Sequence, residues 1–187
     1  LKNFNQNILI NTILISSALY LFFITLRDFF VKKYKNISQN IAHFGFSLLI
    51  LSILFNNLFA SEIITNLKVG ETFENSKTKI VFESVDQKKE QNYNAIIANF
   101  SISNPNGEED RLSPELRIYN QPVIATSEAD IKTTLMSDKF IVINLVQNQD
   151  FFNVRYQVKP FMLWIWLSVI LISLGGIVSF IKKNHEK

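Results

Sequence analysis

The chain contains no cysteine. That absence excludes disulfides and thiol chemistry throughout, even in a segment facing a compartment where disulfides persist. Histidine is nearly as scarce, since His43 and His185 are the only two and neither falls between residues 61 and 159. A Ser/His/Asp hydrolytic set is therefore excluded from that stretch, which also lacks a phosphate-cradling glycine loop and a cluster of metal-ligand residues. A net charge of +3 over 187 residues is too small to argue for a nucleic-acid partner. The basic residues carry information by position instead.

Hydrophobic residues make up 48% of the chain and are concentrated in three runs without formal charge: Ile8 to Leu26, Ile41 to Ala60 and Pro160 to Ile181. Each is long enough to cross a bilayer as one helix. The first run exceeds a signal-peptide core and is followed by no small-residue cleavage site. It is followed by "RDFFVKKYK", in which Arg27, Lys32, Lys33 and Lys35 outnumber Asp28, a short basic loop of the kind retained in the cytoplasm. A second basic cluster, Lys182, Lys183 and Lys187, ends the third run. Both clusters predict one topology, with the N-terminus and the middle of the chain outside and the C-terminus in the cytoplasm.

The expected organisation is thus two transmembrane helices over residues 1–60, about 8–26 and 41–60, joined by a basic cytoplasmic loop. An extracytoplasmic domain follows over 61–159, then a third helix and a basic tail over 160–187. Trp164 and Trp166 fall near the outer end of the third helix, where indole rings anchor at the interface. Asn56 and Asn57 fall near the outer end of the second, and Asn11 near that of the first, where water satisfies them. Gly175 and Gly176 suit helix packing. A first residue of Leu1 rather than methionine, at an end placed outside, points to a piece of a longer protein.

In the outer segment the apolar residues shorten into β-rich runs, "KIVFESV", "YNAIIANFSIS", "KFIVINLV" and "FFNVRYQV", with further extended pieces at "LRIYN" and "VIAT". Asn104 to Gly107 gives a strong turn signal. A β-rich module, sandwich or small barrel, is expected. "SEADIKTTLM" is expected to form a short helix capped by Ser127, although Thr133 and Thr134 weaken it. Glu108, Glu109 and Asp110 read as a solvated loop, and Arg111, Arg117 and Arg155 as surface ion pairs or as sites for anionic groups.

His43 is the one side chain inside the three runs of a type that takes up a positive charge near neutral pH. Near a helix end an imidazole can sit at headgroup level; deeper, it needs a protein partner or serves as a metal ligand. Beside it, Gly45 allows close approach by a neighbouring helix or by a flat cofactor.

Six stretches, "IAHFGFSLLILSI", "VGETF", "NYNAIIANFSI", "LSPELRIYNQP", "TSEADI" and "VKPFMLWIWLSVILISLGGI", occur from residue 41 to residue 177. In order and spacing they resemble the C-terminal part of the CcmF/CycK/NrfE heme lyase family of cytochrome c maturation. The resemblance implies a multi-pass protein of the bacterial or mitochondrial inner membrane. It also implies a heme b with the histidine of the "AHxG" helix, His43 here, as an axial ligand of its iron. The opposite axial histidine belongs to an earlier helix absent from this chain. So does the tryptophan-rich heme-handling segment with its flanking histidines, for which "WIW" is no substitute, so this chain alone is not expected to catalyse.

The implied partners are heme, its chaperone CcmE, apocytochrome c with the thiol-handling module CcmH, the missing N-terminal part of the family protein, and the lipid bilayer. Arg117 is placed by the resemblance where it can pair with a heme propionate or a partner carboxylate, beside the alternative of a structural turn. Two other classes compete. A membrane-anchored scaffold requires no imidazole at position 43, whereas a transporter requires ionisable residues along a path, and His43 is alone.

Overall fold

The computed structural model describes residues 8–31, 37–105, 107–146 and 150–185, and only the backbone at positions 8, 9, 11 and 183–185. The chain divides into two compact units. Residues up to Ala60, together with Thr134–Ser137 and Lys159–Lys187, form a helical unit, and the remainder forms a β unit.

Three helices make the first unit: α1 (Ile8–Val31), α2 (Ile37–Phe59) and α3 (Met162–His185). All three are long and apolar enough to cross a membrane. All three extend further than the apolar runs, α3 past Ile181 to His185. No breaker follows Leu26, so α1 continues through Arg27 and Asp28 to Val31, and α2 begins at Ile37 instead of Ile41. The extra turns are secured by contacts: Phe29 packs 6.2 Å from Phe44, and the Asn40 amide donates to the Asp28 carbonyl at 3.3 Å. The basic loop is correspondingly shorter, and Lys32, Lys33 and Lys35 lie outside the described residues.

α2 and α3 pack antiparallel with small residues at the seam, as helices do where lipid offers no hydrophobic drive between them. A Cβ on Gly45 would stand 3.0 Å from the Ser168 carbonyl oxygen and the Ile172 nitrogen. Conversely, a Cβ on Gly175 would meet Ala42 at 2.7 Å and the Ser38 carbonyl oxygen at 2.9 Å. Gly176 meets nothing within 4 Å, so the packing role expected of both glycines belongs to Gly175. α1 is joined to α2 by a buried hydrogen bond between the Thr25 and Ser47 hydroxyls at 2.7 Å and by Phe22 against Phe44.

Where α2 ends and α3 begins, the Asn56 amide donates to the Pro160 carbonyl at 2.6 Å, so this asparagine is satisfied by protein and not by water. Phe55 and Phe161 meet there at 5.4 Å between ring centroids. Phe161 itself has a φ of 61°, a left-handed conformation uncommon for a bulky residue, and turns the chain into α3.

The β unit is an antiparallel sandwich. One sheet has the order β1 (Ser61–Leu67), β10 (Phe152–Pro160), β9 (Ser137–Leu145), β8 (Asp130–Thr133). The other runs β2 (Thr72–Glu74), β3 (Lys79–Lys89), β4 (Tyr93–Ser103), β6 (Glu115–Tyr119), β7 (Ala125–Glu128), while β5 (Glu109–Leu112) shares β4 with β6. Strict alternation of apolar residues sends Ile80, Phe82, Phe100 and Ile102 inward from one sheet and Ile141, Ile143, Val154 and Tyr156 from the other. Phe82 stacks on Phe100 at 4.5 Å and meets Phe152 edge-on. The described strands establish the sandwich and not a closed barrel.

Two expectations fail in this unit for one reason, that partners distant in sequence outweigh local preference. "SEADIKTTLM" is not helical. It forms the end of β7, then β8 and a tight turn, and Ser127 donates its hydroxyl to Asn144 instead of capping a helix. The acidic run is not a solvated loop either, because Glu109 and Asp110 enter β5 and Asp110 is buried. Lys132 and Lys139 reach its two carboxylate oxygens at 2.5 and 2.6 Å, tying β5 of one sheet to β8 and β9 of the other. Burial works against the Asp110 charge, but these two ammonium groups outweigh it and hold the carboxyl below its ordinary value. Burial, with Asp110 a lesser contributor, pushes the Tyr156 phenol up to about 12.

Because the folded carboxyl is the stronger acid, Asp110 stabilises the sandwich fully above its ordinary value of 3.8. This contribution is lost as pH falls through the lowered folded value. Asp110→Asn is expected to cost about 2 kcal/mol at neutral pH and to flatten the acid limb, read from denaturant midpoints of the sheet signal between neutral and acid pH. In the helical unit, Gly175→Ala is expected to loosen α2 from α3 by about 1–3 kcal/mol, whereas Gly176→Ala changes stability by less than about 0.5 kcal/mol. Detergent unfolding followed by the helical circular dichroism signal distinguishes the two.

Candidate functional site

His43 lies six residues past the first residue of α2, about 9 Å along the helix axis and well inside the span. The earlier start of α2 puts it further from the helix end than the apolar run suggested. Its side chain is exposed, while Gly45, Ser47 and Leu48 are buried. This division follows from the helical repeat: Ala42 and Gly45 face α3, Phe44 and Ser47 face α1, and position 43 falls on the face that neither covers. Among the described residues His43 makes no hydrogen bond or ion pair. A polar ring on a spanning helix is costly without a partner, and a neutral imidazole is a good ligand for a metal or for a metal-bearing cofactor.

Gly45 is two residues away but belongs to the other side of the helix. The space its missing side chain leaves is filled by the backbone and Leu171 of α3, so the neighbour that approaches closely here is a helix.

Arg117 is on β6 of the sandwich. Its Nε donates to a Glu115 carboxylate oxygen at 2.8 Å and its guanidinium lies 5.1 Å from the centre of the Tyr93 ring. The Glu115 hydrogen bond holds its pKa above the ordinary arginine range. Pro114 is fully buried immediately before this strand, and its carbonyl accepts from the Ala98 amide at 3.0 Å. Arg117 therefore already has a carboxylate and an aromatic partner within the sandwich. Arg111 pairs with Glu109 at 3.6 Å, and Arg155 pairs with Glu62. Among the described residues no group of three histidine, aspartate or glutamate side chains is disposed to hold a metal ion.

Trp164 uses its indole N–H to donate to the Leu135 carbonyl at 2.8 Å, whereas Trp166 is exposed. The side chains of Asn11 and His185 lie outside those described. Sequence reasoning missed Thr25 and Ser47, whose only signal is a hydroxyl at a helical position within each of two apolar runs, and such residues also bond their own helix.

A family model described as the CcmF C-terminal beta-sandwich matches residues 58–160. The cytochrome c-type biogenesis protein CcmF of Haemophilus influenzae is 26% identical over 146 residues, which cover 78% of this chain and 22% of that protein. The cytochrome c-type biogenesis protein ccl1 of Rhodobacter capsulatus is 32% identical over 125 residues, 67% of this chain and 19% of the relative. Among solved structures, one described as the cytochrome c heme lyase CcmF shares the fold with a TM-score of 0.58 and 21% identity, covering 75% of this chain and 24% of that one. The chain thus spans roughly a fifth to a quarter of the length of these proteins.

Proposed function

Because the chain belongs to the CcmF family and carries that family's C-terminal sandwich, we propose that it is the C-terminal portion of a heme lyase subunit of cytochrome c biogenesis. In this reading His43 is an axial ligand of a heme b within the membrane. The observation that carries it is the outward-facing imidazole of His43, without a hydrogen-bond partner among the described residues and nearly two turns inside a spanning helix.

Each part of the helical unit serves that ligand. The α2–α3 glycine seam fixes the rotation of α2, and the Thr25–Ser47 bond fixes α1 on the adjoining side, so position 43 points away from both. One ring nitrogen is then available to iron, while the other requires an acceptor from a neighbouring segment. Any further ligand would have to come from another segment of the family protein. A heme held by His43 would supply one-electron transfer chemistry.

The membrane is the bacterial or mitochondrial inner membrane, with the sandwich on its extracytoplasmic side. The basic residues after α1 and at the end of α3 support that orientation. There the sandwich contributes a surface for the assembly in which heme delivered by CcmE meets apocytochrome c presented with CcmH. Arg117 has a secondary part at most, because Glu115 and Tyr93 already engage its guanidinium.

The competing reading is a scaffold that docks assembly partners and holds no heme, and it makes no use of an imidazole at position 43. The two separate at one position. In the complete assembly, His43→Ala and His43→Gln are both expected to abolish the b-type Soret absorption while leaving membrane insertion intact. An unchanged heme spectrum in either variant removes the ligand assignment, and full cytochrome c maturation with His43→Gln establishes the scaffold instead.

A further inference from the structure

We infer that the β8–β9 hairpin tip, Thr134–Ser137, is a second membrane anchor that inserts Leu135 and Met136 into the leaflet at the Met162 end of α3. The side chains of Leu135 and Met136 are 68% and 64% exposed, although the tip belongs to the helical unit. Exposed leucine and methionine at a tight turn are unusual for a water-facing loop, where polar turn residues prevail.

Much of the backbone of the tip is paired within the protein. The Thr134 amide donates to the Ser137 carbonyl at 2.9 Å, the Thr134 hydroxyl donates to the same carbonyl at 2.8 Å, and the Ser137 amide donates to that hydroxyl at 3.0 Å. The two carbonyls between them are taken up by the start of α3. Leu135 accepts from the Trp164 indole at 2.8 Å, and Met136 accepts from the Phe161 amide at 2.8 Å. With these carbonyls occupied, the turn brings fewer unpaired backbone groups into the interfacial layer than a turn that relies on water for all of them.

The position of the tip selects lipid as its occupant. The membrane-spanning stretch of α3 begins at Met162, between the two residues that hold the tip, so Leu135 and Met136 are pinned at the level where the span starts. Trp164 itself is of the residue type that favours this interfacial layer. Two apolar side chains held there extend the apolar surface of α3 sideways, in the manner of a monotopic anchor added to a spanning one.

The inference rests on α3 crossing the bilayer, and a chain without cysteine allows both points to be tested by single-site labelling. Leu135→Cys and Met136→Cys are each labelled with bimane in the full chain and reconstituted in nanodiscs of phosphatidylcholine with or without brominated acyl chains. Ile170→Cys, on an exposed apolar position of α3, serves as the lipid reference, and Lys77→Cys, in an exposed turn of the sandwich, as the water reference. Emission at 135 and 136 is expected to be blue-shifted and quenched by brominated lipid to an extent comparable with 170, and unlike 77. Quenching at 170 alone, with a water-like signal at 135 and 136, overturns the anchor and leaves the spanning helix standing. A blue-shifted signal that brominated lipid does not quench means that protein covers the tip, and it overturns the inference as well. Absence of quenching at 170 overturns both.

Discussion

The close approach of α2 and α3 is the constraint on which the functional geometry depends. Gly175 faces α2 at distances that leave no room for a methyl group and Gly45 faces α3 at distances that a methyl group would crowd, so the two positions hold the helices in this rotation and register. With α2 held that way, Ser47 meets Thr25 of α1, and the remaining face of α2 presents His43. In a membrane the alternative environment of these surfaces is lipid, as apolar as the helices, so shape and hydrogen bonding decide how they pack. The orientation of a single imidazole is therefore set by residues that never touch it.

The sandwich follows a different rule. Its core comes from two-residue alternation, with phenylalanines and isoleucines of the two sheets interleaved, but its one buried charge is what links the sheets electrostatically. Asp110 is compensated by two lysines that lie more than twenty residues away in the chain. The pairing ties β5 to the β8–β9 hairpin, and removing either lysine would leave the buried carboxylate short of a partner.

Much of this was legible in the residues. The three spans were evident from uninterrupted apolar runs, and β4 was delimited exactly by "YNAIIANFSIS", whose alternation and flanking turns leave little choice. What could not be read locally was settled by partners elsewhere. The acidic run became a strand because Lys132 and Lys139 reach Asp110, and "SEADIKTTLM" became extended because its β-branched residues and its charges are used across strands. The ends of α1 and α2 moved because Phe29, Phe44 and Asn40 reward extra turns that charge alone argued against. At the candidate site, the residue type of His43 was visible but its exposure was not, since that depends on which faces α1 and α3 occupy.

The bond from Asn56 to the Pro160 carbonyl, with Phe55 against Phe161, brings the chain's departure from α2 and its return to α3 side by side. To the helices, the whole sandwich is then a closed excursion that begins and ends at one point. α2 and α3 are joined there by contacts of their own, so strands of the module that do not touch the helices can change in length or surface without parting the pair.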